Sequence, residues 1–289
     1  MGYLHIDNLY KNQAILMFKE CYALEKIHGT SAHVSWDHKR KKVGFFAGGE
    51  RHERFVGIFD EANLEKVFSE NFLDSDAVVY GEAYGGKCQG MSATYGMELK
   101  FVAFDVMVGP HWLNVPAAES VVQKLGLEFV DYRKISTDLE MIDHERDKWS
   151  TQAERNGVGT GKLREGVVLR PLIELTMNNG ARLIAKHKRD EFKETKTPRT
   201  VDPEAFKVLT EANAIADEWV TEMRLSHVLD KLPKDIGMES TRLVINAMIE
   251  DVYREAKGEI VESKEVSKAI SNKAVAMFKK KLQNAISNT

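Results

Sequence analysis

Five charged residues stand in stretches that otherwise read as apolar strands. Lys26 closes an alternating run within CYALEKIHGTSAHVSW (21–36) and is followed by Ile27, His28 and Gly29. Glu82 interrupts AVVYGEAY (77–84), Glu165 and Gly166 open EGVVLRP (165–171), and Lys186 and Lys188 stand two apart on one face of ARLIAKHK (181–188). Taken singly, each reads as a solvated residue at a strand end. Charge buried without a partner is costly, so both signs recurring along apolar strands predict a shared polar ligand site.

The elements that must carry these residues are legible from periodicity. Ala32, Val34 and Trp36 alternate with Ser31, His33 and Ser35, and DHKRKK then turns into a second strand, VGFFAG, which predicts a hairpin. Further strands are expected over 77–84, 99–108, 165–171 and 181–188, and helices over DEANLEKVFSE and PAAESVVQKLG. Strands paired largely with sequence neighbours, with helices between them, predict an α+β fold. Past KETKTPRTVDPE the pattern becomes helical: Ile245, Ile249, Val252 and Ala256 recur at helical spacing, as do Val266, Ile270, Ala274 and Met277. The expected division is a domain over 1–195 and a small all-helical domain over 200–289.

The composition narrows the function classes. The 289 residues carry a net charge of -3 and a pI near 6.3, which does not favour a nucleic-acid partner, although basic runs occur at 39–42, 186–199 and 279–281. No basic leader or membrane-length apolar run is read, so a cytoplasmic protein is expected. Cys21 and Cys88 are read as reduced core thiols on strand-like segments. NGVGTGK (156–162) has Asn156 and Leu163 where a phosphate loop needs Gly and Ser or Thr, and is read as a loop. Neither a zinc-binding His or Cys array nor a serine-hydrolase elbow occurs.

In chain order, KIHG, YGEAYG, FVAFDV, EGVVLRP and AKHK resemble the signature of the covalent nucleotidyltransferases, the superfamily of ATP-dependent ligases and mRNA capping enzymes. That signature runs Lys-x-Asp/His-Gly, a Glu after a strand, an aromatic-containing strand, Glu-Gly-hydrophobic-Val, and Lys-x-Lys. His28 within EKIHGT, and a helical tail in place of a β-rich OB domain, resemble most closely the phage-type RNA ligase 2 family.

The resemblance implies an adenylation domain of antiparallel sheets with flanking helices. It also implies an ATP-dependent RNA ligase that seals 3′-OH and 5′-phosphate RNA ends, in nicked duplexes, as a monomer. Lys26 would attack the α-phosphorus of ATP and carry AMP, its amine made nucleophilic by Lys186, Lys188 and Mg2+, with Mn2+ as a substitute. Phe104 would stack on adenine, Glu82 would bind the ribose, Glu25 and Ile27 would contact the nucleotide partly through the backbone, and Gly29 would permit the turn. Glu165 would place the metal, and His28 would act on metal or phosphate geometry.

Ser31 stands where the family commonly has Asn, and Arg51 or Arg54 would replace an arginine that relatives place near the nucleotide. The alternatives are a DNA ligase, a capping-type guanylyltransferase, or a non-catalytic nucleic-acid-binding relative.

Overall fold

The computed structural model of the chain describes residues 2–177, 180–192, 203–233 and 236–287. It divides into two compact units, Met1–Ile15 with Lys19–Arg199, and Leu16–Phe18 with Thr200–Thr289. The expected boundary at 195–200 lies outside the described residues.

Among the described residues, the larger unit contains nine strands in two antiparallel sheets. They are β1 (Glu20–Lys26), β2 (Thr30–Asp37), β3 (Lys42–Ala47), β4 (Ala77–Tyr84), β5 (Lys100–Val108), β6 (His111–Trp112), β7 (Tyr132–Ser136), β8 (Gly166–Pro171) and β9 (Ala185–Lys188). One sheet has the order β7-β1-β8-β9 and the other β3-β2-β4-β5-β6.

The expectation that strands pair largely with sequence neighbours therefore fits the second sheet, apart from β2 with β4, and in the first sheet fits only β8 with β9. β1 is flanked by β7 and β8, both more than a hundred residues later, because its two edges are satisfied only when distant segments return to it. β7 was not anticipated: YRKIS buries a single residue, Ile135, and so carries almost no apolar alternation. β9 is shorter than the expected 181–188, since Arg182 makes only an isolated bridge to Thr176.

Alternation decides the rest. Ala32, Val34 and Trp36 are buried, and Trp36 stacks on Phe68 with ring centroids 5.8 Å apart. Phe68 belongs to the helix Glu61–Asn71, which begins where the Asp60 side chain accepts from the Asn63 N–H. The helix Val115–Lys124 begins likewise at Asn114, with a proline in its first turn, and buries Val115, Ala118 and Val122. Cys21 lies on β1 as expected, but Cys88 sits in a short 3-10 turn after β4. Both are buried free thiols.

The smaller unit is built from helices Pro203–Trp219, Glu222–Asp230, Thr241–Glu255 and Lys264–Ser287. Its buried stripe on the third helix is Val244, Met248, Val252 and Ala256, so Ile245 is displaced from the expected centre by one residue. A 3.6-residue period admits either row when both are apolar, and packing chose between them. Among the described residues, no helix is long and apolar enough to cross a membrane.

Candidate active site

The segment Lys26–Gly29 is the crossover between the two sheets. Lys26 is the last residue of β1, and Thr30, the first of β2, already pairs with Ala83 of β4. Gly29 is required by proximity: a Cβ there would lie 2.3 Å from the Ala83 carbonyl oxygen, inside contact distance. Its N–H donates to Glu82 Oε1 at 3.1 Å, so the turn that presents Lys26 is tied directly to Glu82.

In the first sheet, Lys26 lies opposite Gly166, and Gly166 lies opposite Lys188. The residue between the two lysines has no side chain, and none would fit: Gly166 has φ +152, and a Cβ would sit 2.1 Å from the His187 carbonyl oxygen. Both amines reach the adjacent carboxylate of Glu165. Lys26 Nζ donates to Oε2 at 2.9 Å, Lys188 Nζ lies 2.9 Å from Oε1, and His28 Nδ1 lies 3.2 Å from Oε2. Glu165 is 1% exposed, which makes these partners obligatory rather than incidental.

The next row of that sheet is Leu24, Val168 and Lys186, two residues along each strand and so on the same face. It borders a cavity of about 410 Å³ together with Lys26, Ile27, Glu82 and Phe104. Glu25 also borders this cavity, but its carboxylate is occupied elsewhere, accepting from Ser150 Oγ at 2.6 Å and the Gln152 N–H at 3.2 Å. Neither Arg51 nor Arg54 lines the cavity, and Arg54 instead pairs with Glu50 at 3.4 Å. Ser31 lines it, and its hydroxyl accepts from the Tyr3 N–H at 3.4 Å.

Environment separates the two carboxylates. Burial pushes Glu82 up to about 7, against the opposing pull of Lys26. Burial would raise Glu165 as well, yet the His28 hydrogen bond, Lys26 and Lys188 together bring it down to about 2. The site therefore holds one firmly ionised carboxylate and one that titrates near neutrality.

Sequence reasoning did not identify the residues that hold the cavity open. Tyr3, Leu4, His5 and Ile6 line it, and the segment is fixed by backbone bonds from Lys186 N to the Asp7 carbonyl and from Leu9 N to the Lys186 carbonyl, at 2.9 and 2.8 Å. The Tyr3 hydroxyl donates to Asp105 Oδ2 at 2.6 Å and accepts from Arg182 Nη1 at 2.8 Å, while its ring meets Phe104 edge-on at 4.9 Å. Arg170 reaches Asp105 at 3.0 Å and the Phe104 carbonyl at 3.3 Å, so Phe104 is positioned by a buried ion network. Tyr95 receives the His28 N–H at 3.3 Å. The only sequence signal was the density of arginines and aspartate on apolar strands. An N-terminal segment without regular pattern gave none.

A family model described as RNA ligase matches residues 19–188, more than half of the chain. Comparison with curated proteins gives no match. Solved structures of a Naegleria gruberi RNA ligase are similar in part. An apo mutant has a TM-score of 0.49 and 16% identity over 66% of this chain and 56% of that one. A mutant with ATP and Mn gives 0.49, 15%, 66% and 56%, and the ligase with PPi gives 0.48, 16%, 66% and 57%. This chain thus spans a little over half the length of those proteins. By the extent of the family match, which takes in Lys26, Glu82, Phe104, Glu165, Lys186 and Lys188, the chain belongs to the RNA ligase family.

Proposed function

We propose that the protein is an ATP-dependent RNA ligase that joins 3′-OH and 5′-phosphate ends, in nicked duplexes, acting as a cytoplasmic monomer. The observation that carries this reading is the convergence of Lys26, Lys186, Glu82 and Phe104 on one cavity, with Lys188 joined to Lys26 through Glu165. The family match over residues 19–188, which contains all of these residues, supports it.

In the first step the Lys26 amine, its ammonium proton released to solvent, attacks the α-phosphorus of ATP and gives up a second proton to solvent as the N–P bond forms, while the bond to the bridging oxygen breaks and pyrophosphate leaves with its electron pair. The phosphoramidate then holds AMP. Attack requires the amine to exchange its contact with Glu165 for the phosphate, and Lys188 keeps that carboxylate partnered when it does. Lys186 neutralises charge that develops on the phosphate oxygens. Phe104, whose backbone carbonyl accepts from Arg170, offers the adenine a ring face, and Glu82 offers the ribose hydroxyls an acceptor. In the later steps a 5′-phosphate oxygen takes AMP from Lys26, and a 3′-hydroxyl oxygen then displaces AMP to form the phosphodiester.

A divalent metal suits the donor set. Magnesium uses one or two carboxylates together with substrate phosphates, and Glu165 and Glu82 are oxygen donors beside the cavity, whereas no group of three acidic, His or Cys ligands exists among the described residues. Glu165, with Glu82, would hold it. Bound there, it would supply electrostatic stabilisation of phosphate charge.

The test is incubation with α-labelled ATP or GTP, followed by a denaturing gel. Label from ATP that survives denaturation and is absent from Lys26→Ala supports the reading. Label from GTP alone points to capping chemistry, and no label from either points to a binding relative. Nicked duplexes with RNA or DNA on each side then define the substrate.

A further inference from the structure

The cavity floor continues beyond the nucleotide. Ser31 and Glu82 are directly opposed across β2 and β4, and both line the cavity. Two residues along the same strands, and therefore on the same face, His33 opposes Tyr80 and also Phe46 of β3. The three rings form a row across the sheet. His33 stacks on Phe46 with centroids 5.1 Å apart at 19°, and meets Tyr80 at 5.6 Å. All three are partly exposed. His33 Nδ1 is buried without a hydrogen-bond partner, and burial holds the imidazole below its ordinary pKa, so the ring is neutral at pH 7.

Cations lie on either side of this row along the strand direction. Lys26 and Lys186 are in the cavity. β2 runs on from His33 to the hairpin tip, where Lys39 and Lys41 stand exposed without an ion pair among the described residues, whereas Arg40 turns to Asp37 at 3.7 Å and Lys42 to Glu65 at 3.1 Å. From Ser31 to the tip is about 20 Å at the rise of an extended strand. Positive groups for phosphates on either side, with partly exposed rings between them whose outermost member, Phe46, lies on the edge strand, match a polyanion that carries a flat face on every unit.

We propose that the row Tyr80–His33–Phe46 is a stacking platform for unpaired bases of the RNA strand whose end enters the cavity, with Lys39 and Lys41 receiving its backbone. Fully paired RNA keeps its base faces covered and cannot use the row. The row therefore serves ends that carry a short single-stranded stretch, in addition to the paired ends of a nicked duplex. The identity of the occupant rests on the end-joining reading, while the stacking itself does not require ATP.

Tyr80 is partly covered by Tyr3, with centroids 5.2 Å apart, so Phe46 on the edge strand is the residue to change. The probe is a 5′-phosphorylated RNA about eight nucleotides long, carrying 2-aminopurine, compared with a blunt RNA duplex. Phe46→Leu keeps an apolar side chain and removes the ring, and Phe46→Tyr restores the ring. The expected result is quenching of the probe by the unaltered protein, an affinity about tenfold weaker with Phe46→Leu, and recovery with Phe46→Tyr. Duplex binding is expected to stay unchanged. Unchanged single-strand affinity in Phe46→Leu, equal loss on both RNAs, or a protein that binds only the duplex overturns the proposal. Absence of label on Lys26 would instead remove the ligase reading and leave this binding result standing.

Discussion

Lys26 Nζ and Glu165 Oε2 lie 2.9 Å apart, and the other oxygen of the same carboxylate lies 2.9 Å from Lys188 Nζ. Glu165 therefore carries the charge balance of two lysines across a glycine that leaves them room. Glu165→Gln strands both amines beside a neutral group, and breaking a buried pair of this kind costs about 3 kcal/mol. Loss of thermal stability of that order, together with at least a hundredfold fall in ATP labelling, is expected. Labelling at the unaltered rate would show that the carboxylate does not hold the nucleophile.

The same residue sets an acid limit. The folded value of Glu165, about 2, lies below the ordinary carboxylate value of 4.5. Its contribution is thus complete above about pH 4.5 and disappears as pH falls through about 2. Acid unfolding followed by circular dichroism should have a steep component in that window, and the component should be missing in Glu165→Gln.

Glu82 works in the opposite sense. Its folded value, about 7, lies above the ordinary carboxylate value of 4.5, so between these values the folded protein binds a proton that the unfolded chain has released. Stability from this group is complete below about pH 4.5 and is lost as pH rises through about 7, by ~3 kcal/mol in all. Glu82→Gln should remove that slope and raise the unfolding midpoint at pH 8. Labelling should fall in the same variant, since the amide cannot serve as an anionic acceptor. A slope that persists in Glu82→Gln would assign it to another group.

Glu25 is predicted to matter for stability more than for nucleotide contact. Its carboxylate joins Ser150 and Gln152 and lies 3.9 Å from the buried Arg164, which also pairs with Glu145 at 3.2 Å. Glu25→Ala removes an acceptor from two buried donors and should cost about 2–4 kcal/mol. Glu25→Gln should cost less and leave the KM for ATP unchanged in the labelling reaction. A raised KM in the glutamine variant would place the side chain in the nucleotide site.

Tyr3→Phe tests the N-terminal segment. The change keeps the ring against Phe104 and removes one donor from Asp105, a fully buried carboxylate that retains Arg170 and Arg182. A loss of about 1 kcal/mol is expected. Tyr3→Ala, which also removes the edge-on ring contact, should lower nucleotide affinity in addition. Equal effects from the two variants would mean that the hydroxyl alone supports the cavity.

Lys26, Glu82, Phe104, Glu165, Lys186 and Lys188 stand out in the sequence as candidates because a charge in an apolar strand, or an aromatic at a fixed place in an ordered series, can be read without the fold. The same holds for Ala32, Val34 and Trp36 in the core, and for the capping residue Asp60. Such signals depend on residues within a few positions of each other, where backbone geometry alone fixes which side chains share a face.

Other features were settled by the fold. The pairing of β1 with β7 and β8, the sharing of one carboxylate by Lys26 and Lys188, the turning of the Glu25 side chain toward Ser150, and the closing of the cavity by Tyr3 join residues far apart in the chain. Local alternation states that a side chain needs a partner. Which distant group supplies it is determined only when the sheets assemble and every buried charge and backbone donor must be satisfied at once.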